Sequence, residues 1–537
     1  MRILKPILVT AVAGLLITGC KSIANIPVPP ALDNAVNTVA KKASLTEDEK
    51  NNWQHLDLEK DTIPGMSVNK AYEFLKGKKG KVVIVGVIDS GTDLAHEDLK
   101  DVAWVNEDEI PNNKIDDDKN GFVDDIYGWN FLGDIYKENY ESARILANPS
   151  IASEEDYKKA KEEQEQKIKT AKTNKGRYEQ ILAAVNFAND NISKHFGDKK
   201  YTKEDVLAIK SEDQNLTRSV QIAQQMYGFG LPSLADAKKE LTTLIEDANT
   251  LIENKPITDY RKVLNNDANT MEVTIYGNNK TGHSVKDEAH GSHVSGIIAA
   301  TRNNNKGMNG VADNVRLMAV RAVPDGDEYD KDVALAIRYA VDNGAKVINT
   351  SFGKAYSPKK QWVYDAIKYA ASKDVLIVNA AGNDGKNIDI EKTFPNDSQD
   401  LVNEIADNVL TIGAMSANYS ETLPASFSNY GKKNVDIFAP GVQVYSTTPE
   451  NEYKKFNGTS MAAPATAGVA ALIRSYYPKL TASQVKHIIM NSGTKINLEV
   501  IKPGTKDEKV KFEELSVSGR VVNAYNALKM ADNMINR

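Results

Sequence analysis

The chain has 537 residues, of which 73 are acidic and 67 basic, and its formal net charge at pH 7 is −6. Binding to nucleic acid depends on an excess of Lys and Arg that neutralises phosphates, so this composition gives no support to a nucleic-acid-binding protein. The length exceeds that of one ordinary domain. Cys20 is the only cysteine, so the chain cannot form an intramolecular disulfide.

The N-terminal segment is typical of a signal peptide. Arg2 and Lys5 precede an apolar run over residues 7–17, which is too short to span a bilayer. The run leads into L-I-T-G-C, residues 16–20, which resembles a bacterial lipobox. That resemblance implies that residues 1–19 are removed, that Cys20 carries lipid and that residues 20–50 form a tether. We expect a lipoprotein anchored in the bacterial cell envelope, on its periplasmic or surface side; the alternative is an ordinary secretory signal that contains a cysteine.

The first strong strand signal covers residues 82–88, which are nearly all apolar and β-branched. Such a run predicts a buried parallel strand, and Asp89 follows at its carboxyl end. Ligands of open α/β sheets bind at that edge.

An acidic loop follows this strand. Residues 116–121 match D-x-D-x-N-G, the first half of a calcium loop, but position twelve is Tyr127 where an EF-hand has Glu. We expect a structural Ca²⁺, whereas the alternative is a solvated acidic turn. The predicted ligands are Asp116, Asp118, Asn120 and Asp124.

Residues 135–273 separate Asp89 from the next motif and carry helical patterns. Ser153 is placed to cap a helix, and two apolar stripes recur at helical spacing, one from Ile181 to Phe196 and one from Leu234 to Ile252. We predict a mostly α-helical insertion, which acts as a lid, an exosite or an oligomerisation element, or is an inert decoration.

Three later segments carry polar or reactive side chains next to predicted helix starts or strand ends. His290 opens H-G-S-H-V-S-G, where the following residues predict a helix. Asn383 ends A-A-G-N after a strand pattern. Ser460 lies in G-T-S-M-A-A-P, and because proline fits only near the start of a helix or at a kink, Ser460 is expected in the first helical turn.

Together the motifs resemble those of the subtilisin-like serine peptidases, the subtilases, in which Asp, His and Ser follow in this order. The resemblance implies a parallel sheet of about seven strands flanked by helices, formed by residues 51–134 and 274–537. It implies that Ser460 is the nucleophile, that His290 is the general base and that Asp89 orients His290. It also implies that Asn383 stabilises the oxyanion. The expected substrate-binding residues, from N-T-S-F-G, are Ser351, Phe352 and Gly353.

This resemblance predicts a serine endopeptidase that needs no cofactor for its chemistry and acts on proteins or peptides. The rival class is a catalytically idle lipoprotein that binds partners through the cleft and the insertion. His290 and His293 lack the Glu of a zinc-binding H-E-x-x-H motif, so we interpret His293 as a structural helix residue. A histidine base predicts that activity falls on acidification near pH 6.5.

Overall fold

The computed structural model describes residues 27–36, 41–253 and 256–536, so the expected signal peptide and Cys20 lie outside the described residues. The chain divides into two compact units. The larger comprises the described residues of Met1–Glu138 and Arg261–Arg537, and the smaller comprises Asn139–Tyr260. The expected insertion, residues 135–273, brackets this smaller unit.

The strands and helices of the described residues are numbered in chain order. The strands are β1 (Val83–Asp89), β2 (Gly128–Asn130), β3 (Val315–Arg321), β4 (Val347–Thr350), β5 (Leu376–Ala380), β6 (Val409–Met415), β7 (Ile437–Pro440), β8 (Val444–Thr448), β9 (Glu452–Phe456), β10 (Thr494–Lys495), β11 (Glu499–Ile501), β12 (Lys509–Lys511) and β13 (Arg520–Val521). The helices are α1 (Glu47–Asn52), α2 (Val68–Leu75), α3 (Glu141–Ala147), α4 (Glu154–Phe196), α5 (Lys203–Leu207), α6 (Gln214–Gly228), α7 (Leu234–Glu253), α8 (His290–Ala299), α9 (Asp330–Asp342), α10 (Lys360–Ser372), α11 (Thr459–Tyr476), α12 (Ala482–Ser492) and α13 (Ala524–Ile535).

Within the described part of the larger unit, the main sheet has nine strands in the order β10-β13-β7-β6-β5-β4-β1-β3-β2. Neighbouring strands from β13 to β2 run parallel, and β10 is antiparallel to β13. The predicted α/β fold, a parallel sheet flanked by helices, is confirmed. The sheet exceeds the expected seven strands partly because β10 and β13, with two residues each, are too short to leave a periodic signal in the sequence.

Strand β1 shows why the sheet is buried on both faces. Successive side chains of a strand point to opposite faces. Val85 and Val87 accordingly belong to the apolar cluster on one face of the sheet, and Ile88 belongs to the apolar cluster on the opposite face. Both faces are covered, so the carboxyl edge of the strands is where side chains that follow a strand can reach solvent and substrate.

The smaller unit is helical. Helix α4 begins at Glu154 after Ser153, whose hydroxyl accepts a hydrogen bond from the backbone N–H of Asp156 at 3.1 Å. The predicted apolar stripes supply the core of the smaller unit. Val185 and Ile192 of α4 are fully buried and cluster with Leu241 of α7. The apolar periodicity therefore identified the helices correctly.

Residues 27–36 lie against the end of α12 and the β10–β13 edge of the sheet. Leu32 donates its backbone N–H to the carbonyl of Asn491 at 2.8 Å. The side-chain oxygen of Asn34 accepts from the Arg520 guanidinium at 2.7 Å and from the backbone N–H of Lys495 at 3.2 Å. This part of the expected tether is thus bound to the larger unit. Among the helices of the described residues, none is long and apolar enough to cross a membrane.

Candidate active site

Asp89 and His290 form a hydrogen-bonded pair at the carboxyl edge of the sheet. Asp89 is the last residue of β1 and is buried, and His290 is the first residue of α8. The Asp89 Oδ1 lies 2.8 Å from Nδ1 of His290 and also accepts the backbone N–H of Ser90 at 2.8 Å. This arrangement places the proton on Nδ1 and leaves Nε2 to act as a base.

The charge of Asp89 alters the titration of His290. Burial favours the neutral imidazole, but the Asp89 charge and its hydrogen bond together outweigh burial and raise the pKa of His290 above its usual value. The His290 side chain remains 37% exposed, so the ring is accessible from the cleft.

Ser460 lies in the first turn of α11, as expected from the position of Pro464. Proline has no N–H, so it cannot donate the helical bond from residue 464 to the carbonyl of Ser460. The hydroxyl of Ser351 fills that place and donates to the Ser460 carbonyl at 2.9 Å. In return the Ser460 hydroxyl donates to the Ser351 carbonyl at 3.0 Å. Among the described residues no hydrogen bond joins the Ser460 hydroxyl to His290; such bonds often form only when substrate is present.

Asn383 follows β5 and faces the start of α11. Its Oδ1 accepts the backbone N–H of Thr459 at 2.8 Å and the Thr459 hydroxyl at 3.0 Å. These bonds fix the orientation of the amide, and no residue that the structure describes accepts from its Nδ2. The backbone N–H of Ser460 has no acceptor within its own helix. Two donors are therefore available for a developing oxyanion. The two hydrogen bonds from Thr459 to Asn383 were not predicted from the sequence.

The segment expected to bind substrate follows β4. Ser351 is the residue bonded to Ser460, and the amide of Asn349 donates to its hydroxyl at 2.9 Å. Phe352 packs against the apolar cluster that contains Ile88. A Cβ on Gly353 would meet the carbonyl of Phe394 at 3.0 Å, so glycine permits this close approach. The structure thus brings one of these three residues into direct contact with Ser460.

His293 has the structural surroundings expected for it. Its ring is fully buried and stacks on Phe456 with 4.2 Å between ring centroids. Its Nε2 lies 3.0 Å from the carbonyl of Lys454, and burial lowers its pKa to about 3. The ring therefore stays neutral.

The acidic loop brings together a different set of carboxylates from the one expected. Of the four predicted ligands only Asp118 belongs to the group, whose other members are Glu109 and Asp125. One ligand oxygen from each of the three lies within 4.8 Å of the others. Asp118 accepts from the Asn106 amide at 3.0 Å, and Asp125 accepts from the hydroxyl of Tyr339 at 2.6 Å.

The other predicted ligands are occupied by local hydrogen bonds. Asp116 accepts the backbone N–H groups of Asn120 and Gly121, and Asp124 accepts those of Asn113 and Lys114. The amide of Asn120 presents its nitrogen to Asp118 and Asp125. Sequence spacing located the loop, but the loop's own hydrogen bonds decide which oxygens converge.

Comparison with known proteins identifies the family. The sequence model of the family described as "Subtilase family" matches residues 80–514. The chain belongs to the subtilase family. Subtilisin DY of Bacillus licheniformis is 37% identical over 219 residues, which are 40% of this chain and 73% of that protein. The subtilase assignment is that of a serine peptidase family, and it agrees with the order of the Asp, His and Ser motifs.

Two other subtilases share a smaller part of their length with this chain. The thermophilic serine proteinase of Bacillus sp. (strain AK1) is 42% identical over 35% of this chain and 42% of its own length. The cell wall-associated protease of Bacillus subtilis (strain 168) is 34% identical over 49% of this chain and 29% of its own length. The alignments therefore cover less than half of each of these two proteins.

Proposed function

We propose that this subtilase is an active serine endopeptidase that cuts proteins or peptides through Ser460, His290 and Asp89. The observation that carries the proposal is the 2.8 Å hydrogen bond between the buried Asp89 and the partly exposed His290 at the carboxyl edge of the sheet. Asn383, which follows a strand at the same edge, is hydrogen-bonded to Thr459, the residue before Ser460. A nucleophile, a base, an orienting carboxylate and oxyanion donors are the groups that acyl transfer requires.

In the first half-reaction the Ser460 hydroxyl turns from the Ser351 carbonyl towards Nε2 of His290 and attacks the scissile carbonyl carbon. His290 takes the serine proton, and Asp89 stabilises the imidazolium that forms. Asn383 Nδ2 and the backbone N–H of Ser460 donate to the oxyanion. When the C–N bond breaks, His290 gives the proton to the leaving amine and the acyl-enzyme remains.

In the second half-reaction water attacks the ester. His290 accepts a proton from the water, and the same two donors stabilise the second oxyanion. Collapse returns the proton to the Ser460 oxygen and releases the carboxylic acid. The enzyme is then in its starting state.

A fluorophosphonate probe tests this function against the idle-lipoprotein alternative. Wild type should be labelled and Ser460→Ala should not, with peptide turnover reduced about 10⁶-fold, as for loss of the nucleophile in subtilisin. Ser426→Ala changes an exposed serine and serves as the control. Equal labelling of wild type and Ser460→Ala, or no labelling of folded wild type, would reject the proposal.

We propose further that Cys20 carries lipid and holds the peptidase in the bacterial cell envelope. The support is the L-I-T-G-C sequence after a charged and then apolar segment, in a chain with no other cysteine. The bound segment around Leu32 and Asn34 fits a short connection between the anchor and the larger unit.

We also propose that the acidic loop binds a structural Ca²⁺ through Glu109, Asp118 and Asp125. Ca²⁺ binds oxygens at about 2.3–2.6 Å, so its ligands lie within about 5 Å of one another, and the three carboxylates satisfy that limit. The alternative is that the amide of Asn106 and the hydroxyl of Tyr339 stabilise the loop without a cation. Calcium would contribute to stability and take no part in the chemistry.

A further inference from the structure

The Asp89–His290 pair must be held together across a long stretch of chain. The two residues are 201 positions apart, and a separate compact unit, Asn139–Tyr260, lies between them in the sequence. Chain connectivity therefore restricts their separation very little. Contacts within the larger unit must set the distance between the segment that ends β1 and the segment that begins α8.

Arg321 joins these two segments. It is the last residue of β3, its Cα is paired in register with that of Asp89, and its side chain is fully buried. Its Nε donates to the carbonyl of Ser90, the residue directly after Asp89, at 2.8 Å. One of its terminal nitrogens donates to Glu288, two residues before His290, at 2.6 Å. A single planar guanidinium thus bridges the peptide after the acid and the turn before the base.

Glu288 fixes the turn from which α8 starts. Its Oε1 accepts from Arg321, and its Oε2 accepts the backbone N–H of Ser284 at 2.5 Å. The same terminal nitrogen of Arg321 also donates to the carbonyl of Ile135 at 3.0 Å. Because the guanidinium is rigid and planar, it fixes these acceptors relative to one another more strictly than a flexible ammonium could.

A second set of contacts closes the other side of the same junction. The Ser292 hydroxyl accepts the backbone N–H of Asp93 at 2.8 Å, and the hydroxyls of Ser295 and Thr92 lie 3.0 Å apart. Gly291 is required here, since a Cβ at that position would lie 2.2 Å from the carbonyl of Gly91. Helix α8 is thereby packed directly on the backbone that follows Asp89.

We propose that Arg321 and Glu288 are positioning residues for the catalytic pair: through the Ser90 carbonyl and the turn before α8 they hold Asp89 Oδ1 at bonding distance from His290 Nδ1. The role of the pair in peptide hydrolysis rests on the proposed function. The Ser292 and Ser295 contacts limit how far α8 can move, so a weakened Arg321–Glu288 bridge should misalign the base without detaching the helix.

A buried ion pair elsewhere in the larger unit provides a matched control. Arg261 and Asp332 form two hydrogen bonds of 2.7 Å, and their side chains are 5% and 0% exposed, against 0% and 5% for Arg321 and Glu288. The Arg261–Asp332 pair makes no described contact with Asp89 or His290. Arg261→Lys should therefore reproduce the loss of a buried guanidinium without changing the catalytic pair.

The experiment compares Arg321→Lys, Glu288→Gln and Arg261→Lys with wild type. Misplacement of a reacting group by about 1 Å can reduce the rate about 10²-fold, so we expect kcat and the rate of fluorophosphonate labelling to fall 10- to 100-fold in Arg321→Lys. KM should change less than about twofold, because the substrate-binding segments are untouched. Glu288→Gln keeps one acceptor for Arg321 and should lose less. Arg261→Lys should lower the melting temperature but leave kcat within about twofold of wild type.

Proton NMR separates this inference from the proposed function. The proton on Nδ1 of His290 gives a far-downfield signal while it is hydrogen-bonded to Asp89, whether or not Ser460 is reactive. That signal should broaden or move upfield in Arg321→Lys and Glu288→Gln and persist in Arg261→Lys. An unchanged signal and unchanged kcat in both variants would overturn the positioning role, as would a kcat loss equal to that of Arg261→Lys. If Arg321→Lys fails to fold, Glu288→Gln decides the question by the same measurements.

Discussion

Thr459 holds the amide of Asn383 by two hydrogen bonds, so it should affect catalysis without contacting the substrate. Loss of one oxyanion donor costs about 10²–10³ in kcat. Thr459→Val keeps the backbone bond and removes the hydroxyl, which donates to Asn383 and accepts the backbone N–H of Gly382. We expect roughly a tenfold fall in kcat with KM unchanged. Thr459→Ser should restore the rate.

A double variant checks the mechanism of this effect. If Thr459 acts by orienting Asn383, adding Thr459→Val to Asn383→Ala should cause little further loss, since effects of groups that act as a unit are not additive. Steady-state kinetics on a peptide substrate give the comparison. Fully additive losses would show that Thr459 acts by another route.

The raised pKa of His290 changes the expected pH profile. The base must be neutral, so activity falls as the pH drops through the folded-state pKa, and the half-maximal point of kcat/KM should lie above about 6.5. Stability has the opposite sign: the Asp89–His290 attraction is fully present below the unfolded pKa and is lost as the pH rises through the folded one. Rate measurements from pH 5 to 9 test this, and a half-maximal point at or below 6.5 would contradict it.

At the scale of elements, the acidic loop between β1 and β2 allows two ligand sets to be compared directly. Calcium should stabilise the wild type by about 2.7 kcal/mol at a hundredfold excess over its dissociation constant. Asp125→Asn should abolish the difference in melting temperature between calcium and chelator. Asp124→Asn should lower the melting temperature equally in both, because that carboxylate bonds only to backbone N–H groups among the described residues.

Thermal unfolding of the three proteins in calcium and in chelator gives the result. A calcium effect that survives Asp125→Asn but not Asp124→Asn would restore the ligand set expected from sequence spacing. No calcium effect in wild type would leave the loop as an acidic turn stabilised by hydrogen bonds.

Elements whose signals are local could be predicted from the sequence, and contacts between distant segments could not. The start of α11 before Pro464 and the strand before Asp89 follow from proline chemistry and β-branched residues. Ser67 precedes α2 at a position where serine commonly caps a helix, but its side chain makes no capping bond and instead accepts from the Asn523 amide at 3.0 Å. A tertiary partner replaced the local one.

At the scale of the whole molecule, the same limit explains what was missed at the site. The Arg321–Glu288 bridge depends on the register of β3 beside β1, and the convergence of Glu109 with Asp125 depends on how the loop folds back. Neither contact can be predicted from the spacing of residues along the sequence. The helical nature of residues 139–260 was predictable from periodicity, whereas a role for them at the cleft stays a prediction.

The proposed membrane attachment would be a property of the whole molecule that one residue should control. Cys20→Ser removes the only cysteine and with it the proposed acylation site, so the variant should enter the aqueous phase in detergent phase separation while wild type enters the detergent phase. Fluorophosphonate labelling of both proteins would show that the larger unit is intact. Partition of both proteins into the aqueous phase would disprove the lipid anchor.

The bound segment at Leu32 and Asn34 limits where such an anchored enzyme could work. Leu32 is twelve residues after Cys20, and a chain of that length spans at most about 40 Å. The surface of the larger unit to which Leu32 binds would stay within that distance of the bilayer. The enzyme's rate on proteins held in the same membrane would then follow their surface density, as for any reaction between two tethered partners, and dilution of the surrounding fluid would leave it unchanged.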